Sequence, residues 1–158
     1  MRELVKLAKP QILVENEAAW TQALLAVIAR GEDPTSTQKG RYRHPQIKRQ
    51  LLLETEEKCA YCESKMRHIT YGDIEHVIPK SKKPELSFVW ENLTMACDVC
   101  NTNKGTFYEV IDGNNGSILI DPYVDTPSDH FMFIAEHVRP RPDSTRGYIS
   151  DKLSLIHI

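Results

Sequence analysis

All four cysteines of the chain fall into two closely spaced pairs. Cys59 and Cys62 form the stretch CAYC, and Cys97 and Cys100 form CDVC, with 34 residues between the pairs. Two such pairs present four sulfurs in the tetrahedral arrangement that Zn²⁺ prefers. A zinc held by four thiolates has no open position for water, so the pattern predicts a structural zinc rather than a catalytic one.

A redox-active Cys-X-X-Cys site is the weaker interpretation of the same residues. Such sites follow a strand of a βαβ unit and stand at the start of a helix, and one pair would suffice. Four unrelated buried cysteines are weaker still as an interpretation, because all four fall into the two pairs.

The stretch DIEHVIPKS, residues 73–81, lies between the two pairs. It places Glu75 and His76 side by side in a short apolar run of strand type that ends at Pro79 and Lys80. A zinc bound by both pairs would bring this stretch against a helix that begins near Cys100.

The whole arrangement resembles the HNH endonuclease family, whose ββα-metal motif is often clamped by a zinc of this kind. The matching segments cover about a third of the chain: KCAYCE at 58–63, EHVIPKS at 75–81, WENL at 90–93 and CDVCNTNKG at 97–105. The resemblance implies an α+β fold built around that motif. It also implies a metal-dependent endonuclease that hydrolyses the phosphodiester bonds of DNA.

Given that resemblance, His76 and Glu75 take different parts in hydrolysis. An imidazole with an ordinary pKa of about 6.5 is suited to take a proton from water near neutral pH, so His76 is the predicted base. Glu75 is a hard oxygen ligand for a catalytic Mg²⁺ or Mn²⁺, although aspartate is common in relatives. Neighbouring strand residues point to opposite faces, so a local twist or bulge is expected here.

The resemblance assigns roles to two asparagines. Asn92, in WENL, holds the middle position of the motif, where its amide ties down a loop so that His76 is aimed. Asn101 matches the third position and is the predicted second ligand of the catalytic cation, with Asn103 as the competing candidate. Asp73 is either a supporting residue of that site or only the entry to a strand.

Contacts to nucleic acid must come from a local basic patch, because the net charge is -2. The stretch KGRYRHPQIKR at 39–49 carries five basic residues and no acid, although a solvated helix entry would look the same. The predicted nucleic-acid contacts are Arg41, Arg43, Lys80 and Lys104. Phe88 and Trp90 are expected to be core residues rather than stacking platforms for bases.

Helices are predicted on both sides of the basic stretch. Residues 15–30 carry apolar side chains at helical spacing and end at Gly31, and residues 45–57 restart a helix at Pro45. The predicted units are an N-terminal helical segment over 1–57, the HNH core with its zinc knuckles over 58–110, and a C-terminal extension over 111–158. In the extension, 116–121 is expected to be a strand, and 126–140 a strand or short helix. The apolar end LSLIHI suggests truncation.

Further segments resemble the PtuB-like HNH nucleases of the Septu and retron anti-phage systems: MREL, PELSFVWENL and LIDPYVDTPSDHFMF. That resemblance implies a PtuA-like ABC-type ATPase as a partner, and a retron reverse transcriptase with its DNA product. No run of about 18 to 20 apolar residues occurs, which predicts a cytoplasmic protein without a membrane partner. The alternative function is a non-catalytic zinc-knuckle module that binds nucleic acid or protein.

Overall fold

The structure, a computed structural model, describes residues 1–66, 72–110, 117–134 and 137–153. Its first helix, α1 (Gln11–Ala29), begins directly after Pro10 and is therefore four residues longer at its start than predicted. It ends at Ala29, one residue before the predicted end, and Gly31 then turns the chain away with a φ of +72°. Leu13 and Leu24 of this helix are buried.

By length and composition, α1 is also apolar enough to cross a membrane, with a mean hydropathy of 1.2. One helix of this kind near the N-terminus is weak evidence for a membrane protein, since core helices pass the same test. Trp20 of α1 packs edge-on against Phe88, with ring centroids 5.7 Å apart. The helix therefore contacts the loop between the two strands of the central motif.

Two helices and a turn carry the basic stretch. Helix α2 (Ser36–Gly40) is followed by a single 3₁₀ turn, Arg41–Arg43, and by helix α3 (Pro45–Glu54). Pro45 stands in the first turn of α3, where its missing N–H costs nothing. Helix α3 ends three residues earlier than predicted, because Glu56 and Glu57 take left-handed backbone conformations with φ of 53° and 59°.

The centre of the molecule is a ββα unit. Strands β1 (Asp73–His76) and β2 (Leu93–Ala96) pair antiparallel, with Asp73 opposite Ala96 and His76 opposite Leu93. Helix α4 (Asp98–Lys104) follows β2 directly and contacts β1. The fold is therefore α+β, as predicted, with the two cysteine pairs at the edges of this unit.

The C-terminal region differs from its prediction. Residues 117–121 form only an isolated bridge between Ser117 and Val110, so the predicted strand over 116–121 is wrong for the part the structure describes. Within 126–134 and 137–140, the chain forms a 3₁₀ turn and two antiparallel strands, β3 (Phe131–Ile134) and β4 (His137–Pro140). A further helix, α5 (Thr145–Leu153), was not predicted. The LSLIHI end, apart from the backbone of Leu153, lies outside the described residues.

One hydrophobic core is shared by all three predicted units. Its fully buried members come from every part of the chain: Leu13, Ile47, Leu51, Phe88, Trp90, Leu93, Met95, Ile120 and Phe131. Phe88 and Trp90 are 0% and 1% exposed, which confirms their prediction as core residues. The ββα unit therefore rests on residues that precede and follow it in the chain.

A buried polar cluster adds to these connections. Glu54, at the end of α3, accepts hydrogen bonds from the Lys6 ammonium at 3.0 Å and from the Tyr123 hydroxyl at 2.5 Å. Tyr123 is also bonded to Thr94 of β2, 2.7 Å away. These contacts join the first residues, α3, β2 and the C-terminal region.

Candidate active site and zinc centre

The four cysteine sulfurs form one cluster. All lie within 4.8 Å of one another, and the Sγ atoms of Cys62 and Cys97 are 3.7 Å apart. A tetrahedron with Zn–S bonds of about 2.3 Å has edges of about 3.8 Å, so the cluster fits a zinc ion. Four thiolates leave no open position, and the predicted role as a structural clamp agrees with this geometry.

Local hydrogen bonds shape each cysteine pair. In the first, the Cys59 carbonyl accepts from the Glu63 amide at 2.9 Å, and the Cys59 amide donates to the Ser64 carbonyl at 3.0 Å. In the second, Cys97 caps α4, and its sulfur accepts from the Cys100 amide at 3.5 Å. The Ala60 amide donates to the Met95 carbonyl, which fixes the first pair to β2.

His76 is the last residue of β1 and is 5% exposed. Its Nε2 lies 3.0 Å from the Ser87 carbonyl, which can only accept a hydrogen bond, so Nε2 carries the proton. The other ring nitrogen, Nδ1, is then unprotonated in the neutral ring and available as a base. This contact fixes the tautomer of the predicted catalytic histidine.

Burial lowers the pKa of His76 to about 4. The positive charges of Lys80, Lys104 and Arg43 contribute to this lowering of the pKa, whereas the Ser87 hydrogen bond raises it. Each of these cations disfavours a charged imidazolium. At neutral pH the ring is therefore uncharged and able to accept a proton.

Glu75, the residue before His76 in β1, is paired with a buried lysine. Its Oε1 accepts from the Lys104 ammonium at 2.6 Å, and the same ammonium donates to the His76 carbonyl at 2.8 Å. Burial raises the pKa of Glu75, and the charge of Lys104 opposes that change. Lys104 is 5% exposed, so its ammonium faces the protein interior rather than a nucleic acid.

Asn101 lies beside the two acidic residues of β1. Its Nδ2 donates to Asp73 Oδ2 at 3.2 Å, which leaves its own amide oxygen outside this contact. Asn101, Asp73 and Glu75 all line the same cleft, whereas Asn103 is exposed and does not line it. The placement favours Asn101 over Asn103 as the motif residue, and it brings Asp73 into the site.

Asn92 is buried and bonded to the loop between β1 and β2. Its Oδ1 accepts from the Ile78 amide at 2.8 Å, while its Nδ2 donates to the carbonyls of Ile78 and Leu86 at 3.0 and 3.1 Å. Three hydrogen bonds from one side chain hold both ends of this loop together. The loop includes the residues that follow His76, so Asn92 restrains the position of His76 through the backbone.

These side chains surround a cleft of about 420 Å³. Its walls come from the basic stretch, from β1 with the turn after it, and from the end of α4: Tyr42, Arg43, Lys48, Asp73, Ile74, Glu75, His76, Pro79, Lys80, Ser81, Asn101, Gly105 and Thr106. Of the predicted nucleic-acid contacts, Arg43 and Lys80 therefore lie at the cleft. Arg41 lies instead over the Trp20 ring, with its guanidinium carbon 5.8 Å from the centroid.

Two features of the site were missed by sequence reasoning. Tyr42 is buried against His76, and its signal was its place between two arginines of the basic stretch. The inward direction of the Lys104 side chain had a weaker signal. Lys104 comes three residues after Asn101, a spacing that places both side chains on one face of the helix.

The oxygen donors of the cleft suit a hard divalent cation. Carboxylates of Asp73 and Glu75 and the amide oxygen of Asn101 are ligands that Mg²⁺ and Mn²⁺ prefer. Glu75 keeps one carboxylate oxygen outside its bond to Lys104. The residues present therefore fit the cation that an HNH enzyme uses.

Comparisons with known proteins agree with this geometry. Residues 59–107 match the HNH endonuclease family, a range that includes both cysteine pairs, His76, Asn92 and Asn101. The Septu protein PtuB of Bacillus thuringiensis is 34% identical over 122 residues, which are 77% of this chain and 42% of that protein. The PtuB of Bacillus mycoides strain KBAB4 is 27% identical, over 58% of this chain and 40% of its own length.

The chain thus spans about two fifths of the length of these curated relatives. Through its ββα unit and cysteine cluster, the chain belongs to the HNH endonuclease family and is homologous to PtuB.

Proposed function

We propose that this protein is a metal-dependent HNH endonuclease that hydrolyses phosphodiester bonds of DNA. The observation that carries the proposal is the neutral His76 in a cleft lined by Glu75, Asp73 and Asn101. A zinc clamp alone has no need of a buried histidine beside cation ligands. The family to which the chain belongs supports the same activity.

The proposed reaction needs a base, a means to stabilise phosphate charge, and help for the leaving oxygen. His76 Nδ1 takes the proton from the attacking water, and its Nε2–H bond to Ser87 holds the ring during transfer. Glu75 and Asn101, with Asp73, would hold the Mg²⁺ or Mn²⁺. That cation would stabilise negative charge on the phosphate and on the departing oxygen.

The remaining site residues position these groups or bind the substrate. Asn92 holds the loop after His76, and Lys104 holds Glu75 and the His76 carbonyl. Lys80 and Arg43 line the cleft as cations that contact DNA phosphates, and Arg41 extends the basic surface toward α1. Contacts of this kind read no base, so we expect weak sequence preference.

The test is cleavage of supercoiled plasmid and of single-stranded DNA by the purified chain, with Mg²⁺, Mn²⁺ or EDTA. A His76→Ala variant with intact zinc content is the matched control. We expect metal-dependent cutting by the wild type and none by the variant. If the wild type binds DNA but does not cut it, the protein is a zinc-knuckle binding module instead. Equal cutting by both proteins would remove His76 from the mechanism.

We further propose a role in anti-phage defence, because the relatives named above are Septu proteins. In that setting a PtuA-like ATPase would be the partner that restrains the nuclease, and a retron reverse transcriptase remains an expectation from the resemblance. Co-expression with an ATPase encoded beside this chain tests the idea. A shared peak on a sizing column is expected, and separate migration would contradict a stable complex.

A further inference from the structure

Tyr42 lies in the wall of the cleft, although it is far from the motif in sequence. It occupies the 3₁₀ turn before α3, and its side chain is 4% exposed and part of the hydrophobic core. A ring held by core packing has little freedom to move. Tyr42 is therefore a rigid part of a site whose other walls are turns and strand ends.

The Tyr42 ring packs on the ring of His76. Their centroids are 4.6 Å apart, and their planes meet at 76°, an edge-to-face arrangement. Aromatic rings favour this geometry, because the positive edge of one meets the negative face of the other. The contact restrains the imidazole plane, in addition to the Ser87 hydrogen bond.

The Tyr42 hydroxyl and ring both contact Lys80. The Lys80 ammonium donates to the Tyr42 oxygen at 2.9 Å and lies 4.4 Å from the ring centroid. Lys80 follows Pro79 in the turn after β1 and is partly exposed at the cleft. A lysine side chain has many rotamers when free, and these two contacts select one of them.

We propose that Tyr42 is a positioning residue, one that holds the Lys80 ammonium and the His76 imidazole in a fixed relation so that a DNA phosphate bound by Lys80 meets the base. The inference rests on the proposed nuclease function and assigns a substrate contact within it. Because the Lys80 side chain is already ordered before DNA binds, its loss of conformational entropy on binding is smaller. The same arrangement keeps the phosphate within reach of the water that His76 deprotonates.

Tyr42→Phe separates the two contacts of this residue. The phenyl ring keeps its packing on His76 and in the core, while Lys80 loses its hydrogen-bond acceptor. We expect the single-turnover cleavage rate at saturating DNA to fall about tenfold, since small misplacements of substrate groups are costly. Thermal unfolding of this variant should match that of the wild type.

A double-mutant cycle with Lys80→Ala tests whether Tyr42 acts through Lys80. We expect Tyr42→Phe to have no further effect on the cleavage rate when Lys80 is already absent. Tyr148→Phe is the control, because Tyr148 also has a lysine over its ring, Lys152 at 5.3 Å, and does not line the cleft. That variant should cleave at the wild-type rate.

The same cycle is measured as the affinity for fluorescein-labelled DNA, by anisotropy without added Mg²⁺ or Mn²⁺. In the protein that retains Lys80, Tyr42→Phe should weaken DNA binding about threefold. In the Lys80→Ala protein, the same substitution should leave DNA binding unchanged. If the wild type binds but does not cleave, the nuclease proposal fails while this binding cycle still decides the role of Tyr42. Additive effects, an unaffected Tyr42→Phe protein, or no DNA binding by the wild type would each overturn the inference.

Discussion

At the scale of single residues, burial and nearby cations keep the His76 ring uncharged, as its proposed role as a base requires. No carboxylate is needed to orient it, since the Ser87 carbonyl fixes its tautomer and the Tyr42 ring fixes its plane. Burial of the ring, together with the charges of Lys80, Lys104 and Arg43, opposes protonation and lowers its pKa to about 4. A ring with so low a pKa is neutral throughout the physiological pH range.

The low pKa of His76 predicts a pH-dependent loss of stability. The unfolded ring has a pKa near 6.5 and the folded ring one of about 4, so the unfolded state takes up the proton first. Stability from this residue is present above pH about 6.5 and is lost as the pH falls toward 4, by about 3 kcal/mol at pH about 4. Urea unfolding of the zinc-loaded protein across this range measures the loss.

His76→Gln is the control for that measurement, since it keeps a polar side chain of similar reach that does not titrate. Zinc release at low pH affects both proteins alike. The difference between their free energies of unfolding should therefore change by about 3 kcal/mol over the range. A constant difference would mean that His76 is not held neutral by the fold.

The buried pair of Lys104 and Glu75 predicts an asymmetric response to mutation. Lys104→Met leaves a buried carboxylate without its partner and should lower the free energy of unfolding by about 3 to 5 kcal/mol. Lys104→Met with Glu75→Gln removes both charges and should recover part of that loss. The His76 carbonyl still loses a donor in both variants, so recovery is incomplete. Chemical denaturation without added divalent cations is the measurement, and equal losses in both variants would contradict the prediction.

At the scale of elements, the ββα unit is too small to be stable alone. Its strands have four residues each and its helix has seven, whereas an isolated two-stranded sheet is marginal in water. The cysteine cluster joins the segment before β1 to the start of α4. A zinc ion bound there would link the segment before β1 to α4.

Replacement of a zinc ligand should therefore destabilise the protein strongly. Cys62→Ser removes one of the four sulfurs, and we expect the zinc content to fall and the Tm to drop by 10 °C or more, on the order of several kcal/mol. Ser64→Ala is the matched control, because its hydroxyl lies 3.3 Å from the Cys62 sulfur without belonging to the cluster. A zinc-free Cys62→Ser protein with an unchanged Tm would show that the zinc is not a clamp.

Sequence reasoning recovered elements that have strong local signals. The helices α1 and α3 have apolar residues at helical spacing, with Gly31 after α1 and Pro45 at the start of α3. The Cys-X-X-Cys spacing itself predicts a tight turn at each cysteine pair. Helix α5 was missed because it has no clear apolar face and contains Gly147, a residue unfavourable in helices. Its register depends on tertiary contacts such as the bond between Arg146 and Asp125, which no local pattern shows.

The same distinction applies to the site. The motif predicted His76, Glu75, Asn92 and Asn101, because these residues lie at fixed positions around the strands and the cysteines. Tyr42 and the inward direction of Lys104 depend on how distant segments pack, and the local signals of these two residues do not specify that packing. Asp73 was left undecided, and its contact with Asn101 brings it into the cleft.

At the scale of the whole molecule, the proposed active site is assembled from more than the HNH segment. Residues 59–107 match the family, yet Tyr42, Arg43 and Lys48 form one wall of the cleft. The N-terminal region also buries Leu13, Ile47 and Leu51 completely against the rest of the core. Cutting the chain at the predicted boundary after residue 57 would expose this interface.

A fragment of residues 58–153 should therefore fail to fold cooperatively, even with zinc. Loss of 1–57 would expose Phe88, Trp90 and Leu93 to solvent, each of which is at most 1% exposed in the intact chain. It would also remove Glu54, the hydrogen-bond acceptor of Tyr123, and Tyr42, the acceptor of Lys80. Each fully buried aromatic or leucine side chain contributes about 1.5 to 3 kcal/mol to stability through burial. Together with the buried side chains of the deleted helices, the lost burial free energy exceeds the stability of a typical domain. Thermal unfolding and amide NMR spectra of the fragment are compared with those of residues 1–153. A dispersed spectrum and a sharp transition in the fragment would show instead that the HNH segment folds independently. The N-terminal residues would then contribute to the active-site cleft and not to the folding of the HNH segment.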